Sequence, residues 1–394
     1  MGLAKTCRSG LVILSLGALH ACGGSGEGDG LAGVPPHEGP PAGIGVFKDS
    51  NVTGLSYTSG TKTGVTGADG TFGYELNQPT TFKVGAIPLG TTTGNSVVTP
   101  IDLVAGGRSD TPEVLNRIRF LMMLDADGDE QNGIVISANV QARAATWTPL
   151  NFADAGIDAA LEALASDARS ADGGAHVVPS ATVARSHIES TFRCATSGAF
   201  RGTFSGSQAG RFGVIITPNS GSLVGLGAFS NQFGNFDISS DAALSIDQEA
   251  TVSAHSAQNG AAFSGKLRWP DNISGTWSNT GNAGGTFTGT RLLARSDAVY
   301  RYSGFFSDPA LPESGPVTFD VDAAGHVTGV AYGSLRDQLV DFSGTLVGGT
   351  FTATAPGGAV ISASSSPLIP TLVQGTWTGT GAAGTFSGVG CRLN

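Results

Sequence analysis

Charge is scarce in this chain. Only 13% of its 394 residues are Asp, Glu, Lys or Arg, about half the usual ~25%, which argues against a coiled coil or a helical bundle. Aromatic residues make up 7%, with Phe far ahead of Tyr and Trp, and there are four cysteines. No apolar run reaches the ~20 residues that a membrane-spanning helix needs. Basic residues are outnumbered 21 to 31 by acidic ones and form no cluster, so a phosphate backbone is not a partner and nucleic-acid binding is excluded. Motifs of chemistry are missing too: no Gly-x-Ser-x-Gly elbow, no His-Glu-x-x-His zinc site, no phosphate loop and no paired-cysteine metal site occurs.

What the chain has in abundance is glycine, 60 residues, with 40% hydrophobic content. That apolar share is enough to bury a core and excludes disorder throughout. Short strands joined by tight glycine turns use such a composition well, so the expected class is mainly β. The length predicts two or three domains.

Lys5 and Arg8 precede an apolar run, Leu11 to Leu19, of the length of a secretory signal core. The run ends in Leu19-His20-Ala21-Cys22, followed by Gly23-Gly24-Ser25-Gly26. Leu19, Ala21 and Cys22 resemble the lipobox of bacterial lipoproteins. The resemblance implies a signal peptide over 1–21, acylation of Cys22 with palmitate-type chains, and anchoring to the lipid membrane. Gly23 in place of an Asp implies, if the cell is Gram-negative, the outer membrane, on its periplasmic or surface face. Without residues 1–21 the chain carries 19 basic against 31 acidic residues, a net charge of −12. Cys7 leaves with the signal and Cys22 is acylated, so Cys194 and Cys391 remain and are expected to pair in an oxidising compartment.

Residues 22–43, rich in Gly, Pro and Ser, read as a disordered tether. From 44 to 107 large and small residues alternate, as in Gly45-Val46-Phe47, Thr71-Phe72-Gly73-Tyr74 and Thr81-Phe82-Lys83-Val84, with a turn at Gly67-Ala68-Asp69-Gly70. This stretch resembles the small β-sandwiches of bacterial surface proteins, of the carboxypeptidase-regulatory-like and Cna-B-like kinds, which implies a stalk or spacer. Residues 108–193 form the helical stretch. A helix is predicted from Pro112 behind Thr111, burying Val114, Leu115, Ile118, Leu121 and Met122. A second is predicted over 154–168, and a third after Ser180, burying Val183, Ile188 and Phe192.

Between the first two predicted helices runs Asp125-Ala126-Asp127-Gly128-Asp129-Glu130-Gln131-Asn132-Gly133-Ile134. Asp125, Asp127, Asp129 and Asn132 are candidate ligands of a structural Ca²⁺, because alternating carboxylates around a glycine converge on that ion. The glycine, apolar and acidic positions do not match an EF-hand; the loop resembles the Asp-rich calcium loops of extracellular bacterial proteins. A plain turn in which Asp and Gly only shape the backbone is the other reading.

The rest of the chain is a duplicated β unit, 194–296 and 297–394. Phe200-Arg201-Gly202-Thr203-Phe204-Ser205 recurs as Tyr302-Ser303-Gly304-Phe305-Phe306-Ser307. Gly221–Gly225 recurs as Gly325–Gly329, Gly275-Thr276-Trp277 as Gly375-Thr376-Trp377, and Gly285–Gly289 as Gly384–Gly388. Four landmarks in one order establish the repeat. About eight strands per unit predict eight-stranded antiparallel barrels or one shared sheet structure. The closing Gly-Thr-Trp and Gly-Thr-Phe-x-Gly strands resemble the barrel lobes of surface lipoproteins such as transferrin-binding proteins.

Trp277 and Trp377 at equivalent repeat positions read as core, and so do the helix stripes. His37, His176, His187, His255 and His326 are scattered, and none is assigned a catalytic role. Three functions are therefore open. The first is a non-enzymatic envelope lipoprotein whose β units bind or adhere to a cell-envelope or host-surface macromolecule. The second is a secreted hydrolase or envelope-modifying enzyme whose site forms only in three dimensions. The third is a small-molecule carrier, which requires a hollow, apolar barrel.

Overall fold

The computed structural model describes residues 41–394 except 233, 269–270, 295–296, 310–312, 366–371, 380 and 394, and only the backbone of 268 and 313. The signal, Cys22, His37, Trp269 and most of the tether thus lie outside the described residues. Alternating large and small residues begin the first strand at Ala42, two residues inside the stretch expected to be tether.

The N-terminal part contains β1 (Ala42–Phe47), β2 (Val52–Thr53), β3 (Ser56–Ser59) and β4 (Lys62–Val65). It continues with β5 (Thr71–Glu75), β6 (Pro79–Val84), β7 (Ile87–Thr93) and β8 (Val97–Val98). Two small sheets result, ordered β5-β1-β8 and β4-β3-β6-β7. They meet through inward rings: Phe82 of β6 lies 4.8 Å from Phe47 of β1 and 5.0 Å from Phe72 of β5 between centroids. The turn at Gly67–Gly70 joins β4 to β5, which belong to different sheets, so it crosses between sheets and does not close a hairpin. Gly70 takes φ +71° there, and a Cβ on it would lie 2.8 Å from the Phe47 carbonyl oxygen.

Four helices follow: α1 (Pro112–Met123), α2 (Ala138–Ala144), α3 (Asp158–Asp172) and α4 (Ala181–Thr196). α1 starts as expected, but Thr111 spends its hydroxyl on the Arg108 N–H (3.0 Å) and leaves the helix uncapped. α3 starts four residues later than expected. The Asp154 carboxylate accepts from the Gly156 N–H at 2.8 Å, which holds the preceding segment in a turn. α2 was not expected; Ser137 caps it by accepting from the Val140 N–H. Ser180 caps α4 in the same way. Ile188 and Phe192 of α4 are buried, whereas Val183 is 48% exposed, with Ala184 facing the core in its place. α4 also runs past the boundary expected at 193 and carries Cys194 in its last turn. A short strand, β9 (Ile134–Val135), pairs with β2 and ties the Asp-rich loop to the N-terminal part.

The duplicated region is two closed, antiparallel, eight-stranded barrels. The first comprises β10 (Gly198–Gly206), β11 (Gly210–Ile216), β12 (Leu223–Phe229) and β13 (Asn235–Ser240). It closes with β14 (Thr251–His255), β15 (Ala262–Arg268), β16 (Asn272–Asn279) and β17 (Ala283–Arg291). The second comprises β18 (Ala298–Asp308), β19 (Glu313–Asp322), β20 (His326–Gly333) and β21 (Gln338–Val347). It closes with β22 (Thr350–Ala355), β23 (Ala359–Ser365), β24 (Leu372–Gly379) and β25 (Ala382–Arg392). One continuous core joins the N-terminal sheets, the helices and the first barrel, while the second barrel has a core of its own.

The repeated Gly and Trp have one structural cause. Gly285 on β17 stands opposite Trp277 on β16. With no Cβ in the way, the indole crosses β17 and donates to the Ser205 carbonyl on β10 at 2.9 Å. Gly384, Trp377 and Ser307 repeat the arrangement in the second barrel, with a 3.3 Å bond.

Cys194 and Cys391 form a disulfide, as expected, with Cα atoms 5.8 Å apart. It fastens the end of α4 to β25. Beside it, the Arg291 guanidinium donates to the carbonyls of Ala195, Thr196 and Ser197, which α4 leaves without intrahelical partners. Arg301 on β18 makes a two-pronged pair with Asp320 on β19, both bonds 2.8 Å. Among the described residues, no helix is long and apolar enough to cross a membrane.

Candidate binding cavity

Strand register puts the two barrels into residue-by-residue correspondence. Phe204 pairs with Gly210 as Phe306 pairs with Gly315. Gly227 pairs with Phe236 as Ala331 pairs with Val340, and Phe263 with Trp277 as Ile361 with Trp377. On this correspondence Phe212, Phe229, Phe236 and Phe263 of the first barrel become Val317, Gly333, Val340 and Ile361 in the second. All four changes remove ring volume from one end of the barrel.

The consequence is direct. In the first barrel these phenylalanines pack with Phe204, Trp277 and Phe287, edge to face at 5.8 to 6.1 Å in the pairs Phe204–Phe229, Phe212–Phe287 and Phe263–Phe287. They leave interior voids of about 20 and 10 Å³. The second barrel instead holds a cavity of about 330 Å³, lined by all four of the smaller residues. At its other end the exchange runs in reverse. Val214, Ile238 and Val252 become Phe319, Phe342 and Phe351, and the Phe319 and Phe351 rings stack at 4.9 Å. Aromatic mass has moved from the mouth of the barrel to its base.

The walls of the cavity are hydrocarbon, with Phe306, Phe342, Trp377 and Phe386 as its rings. The one indole N–H there is already given to Ser307. Polar side chains gather at the mouth: Asp308 ends β18, Arg336 lies in the β20–β21 turn and Gln338 opens β21. Trp277 is fully packed, but Trp377, expected as core, is half-buried and faces this space. The first barrel buttresses the mouth from outside. Gly213 on β11 admits the Tyr332 ring, which a Cβ would approach to 2.8 Å, and the Tyr332 hydroxyl donates to Asp337 at 2.9 Å.

The residues singled out from sequence lie elsewhere. Asp125 is buried, and its Oδ1 accepts from the Val135 N–H at 2.8 Å while Oδ2 has no hydrogen-bond partner. Burial, with the neighbouring Asp127 charge added, pushes its carboxyl up to about 6 against the N–H donors that favour ionisation. Asp127 accepts from the Asp129 N–H and the Asn132 amide, which hold its carboxyl below the usual range. Asp129 accepts from the Gln131 N–H at 3.2 Å. The fold thus sets Asp127 beside both Asp125 and Asn132, while Asp129 bonds the backbone of its own loop. Among the described residues, no three His, Cys, Asp or Glu side chains gather as a metal site.

Each described histidine stands beside its own aspartate: His176 with Asp172, His187 with Asp49, His255 with Asp241 and His326 with Asp322. The four pairs are separate. What sequence reading missed is the cavity. Its signal was present in the exchange of Phe for small residues between the copies, but only at positions that strand register identifies.

No protein-family model matches the chain, and no curated protein does. Among solved structures, it is similar to a protein of unknown function of the DUF3598 family from Nostoc punctiforme. The match covers 52% of this chain and 98% of that one at 9% identity, with a TM-score of 0.19, too low to relate the folds.

Proposed function

We propose that this is a lipid-anchored protein of the bacterial cell envelope whose second barrel binds a small molecule. The observation that carries the binding role is the contrast between the barrels: a cavity of about 330 Å³ in one against a filled interior in its duplicate. A volume of that size falls at the lower end of the range of small-molecule pockets, ~300–1,000 Å³. It favours the carrier reading over adhesion, which requires no interior space. The envelope address rests on the signal-like run and on Cys22 in its lipobox-like setting, and the disulfide fits an oxidising compartment.

Two measurements test the two halves of this reading. Mass spectrometry of membrane-extracted protein is expected to find Cys22 acylated, and Cys22→Ser to move the protein to the soluble fraction; an unmodified, soluble wild type would overturn the address. Titration of the full chain with the small neutral fluorescent dye 1-aminonaphthalene is expected to saturate at one site per chain. Absence of saturable binding would overturn the carrier role.

A further inference from the structure

The cavity's chemistry narrows its occupant. The interior of the barrel offers rings and aliphatic side chains, and its indole N–H is committed to the Ser307 carbonyl. A polar group placed there would lose its water without gaining a partner. The part of a ligand that enters is therefore hydrocarbon. At the mouth, the exposed Arg336 and Gln338 bring a positive charge and an amide to the water boundary, where a polar head can stay hydrated. Volume sets the length: 330 Å³, at the ~30 Å³ share of a water-sized unit, holds roughly ten to twelve heavy atoms.

Resting on the reading of the second barrel as a binding element, we infer that its occupant is an amphiphile with a hydrocarbon part of about ten to twelve heavy atoms. Val317, Gly333, Val340 and Ile361 set that size, since each stands where the first barrel carries a phenylalanine. They are specificity-determining residues, and the first barrel displays the closed state of the same site. The two copies share one scaffold and differ by four rings at this end.

Displacement of 1-aminonaphthalene, whose eleven heavy atoms match that capacity, from the full chain by straight-chain alcohols of six to sixteen carbons tests this. Affinity is expected to rise about fourfold per methylene until the chain reaches about ten to twelve carbons, and then to level. Val340→Phe with Ile361→Phe restores the residues of the first barrel and is expected to weaken binding at least tenfold. The converse pair, Phe236→Val with Phe263→Ile, is expected to open the first barrel and raise the stoichiometry from one to two. A wild type that binds no dye overturns the carrier reading itself. Saturable binding with no break in the chain-length series overturns the size inference alone. So does full binding by a refilled variant that melts like wild type. If the refilled variant does not fold, the length series and the opened first barrel decide.

Discussion

Arg211 of the first barrel grips the rim of the second. Its Nε donates to the Ser334 carbonyl at 2.6 Å and its Nη2 to the Leu335 carbonyl at 2.9 Å. Both carbonyls lie in the β20–β21 turn that borders the cavity through Gly333 and Arg336. Asn235 adds a third tie by accepting from the Ser334 hydroxyl at 3.0 Å. A turn that would otherwise be an exposed loop tip is held by charge-assisted bonds from a neighbouring rigid body.

Arg211→Ala removes the two strongest of these ties. The expected loss of stability is about 1.5–3 kcal/mol, the range for hydrogen bonds to charged groups. Bound dye is expected to leave several-fold faster while its association rate changes by less than about threefold. Stopped-flow fluorescence separates the two rates. An unchanged dissociation rate would mean that the turn does not limit escape.

Reduction of the Cys194–Cys391 bridge frees a loop with a sequence separation of 197 residues. The chain-entropy model gives about 5 kcal/mol for a loop of this length. Thermal melts with and without reductant, or of Cys391→Ser, should show a lower midpoint. The bridge lies at the base of the barrel and Ala382, at the other end of β25, lies at the mouth, so dye affinity should survive below the new midpoint.

His187 and Asp49 form a buried pair at 3.1 Å between α4 and the chain after β1. Burial alone would push the imidazole pKa down, but the adjacent Asp49 carboxylate outweighs it, with the Glu130 charge adding, and the net shift is up. A folded value above the unfolded ~6.5 stabilises the protein below that pH, and the contribution is lost as pH rises through the folded value. Melts between about pH 5.5 and 8.5 are expected to show wild type losing stability relative to His187→Gln as pH rises. A difference independent of pH would show that the pair does not titrate differently on folding.

Gly285→Ala tests the crossing indole. A Cβ there would come within 1.7 Å of the Ser205 oxygen and 2.8 Å of the Trp277 nitrogen, so the strands must part. The Gly384→Ala change meets the Ser307 oxygen at 1.8 Å in the same place of the second barrel. Each is expected to destabilise by about 2 kcal/mol or more, read as a shift in the urea midpoint. A neutral Gly285→Ala would mean that Trp277 does not depend on this approach.

The repeat, its strand number and the pairing of Cys194 with Cys391 were legible because each leaves a local mark: a glycine beside an aromatic, a turn, a cysteine with one partner left. Helix starts were legible where Pro112 or Ser180 marked them. α2 was not, since its seven residues are too few to show a period. The burial of Val183 was misjudged because Ala184, a smaller residue one position on, is the one that α4 turns to the core. The cavity was hidden for a different reason. Phenylalanines lost from the mouth reappear at the base as Phe319, Phe342 and Phe351, so the two copies look equally aromatic until register assigns each ring to a level.

The bridge also sets an order of events in time. Cys194 emerges 197 residues ahead of Cys391, and the whole first barrel, from Gly198 to Arg291, lies between them. That barrel can close while Cys194 still carries a free thiol at the end of α4. The covalent bond must wait until Cys391 on β25 has been made. A chain halted before Cys391 therefore leaves Cys194 without its partner in this bridge.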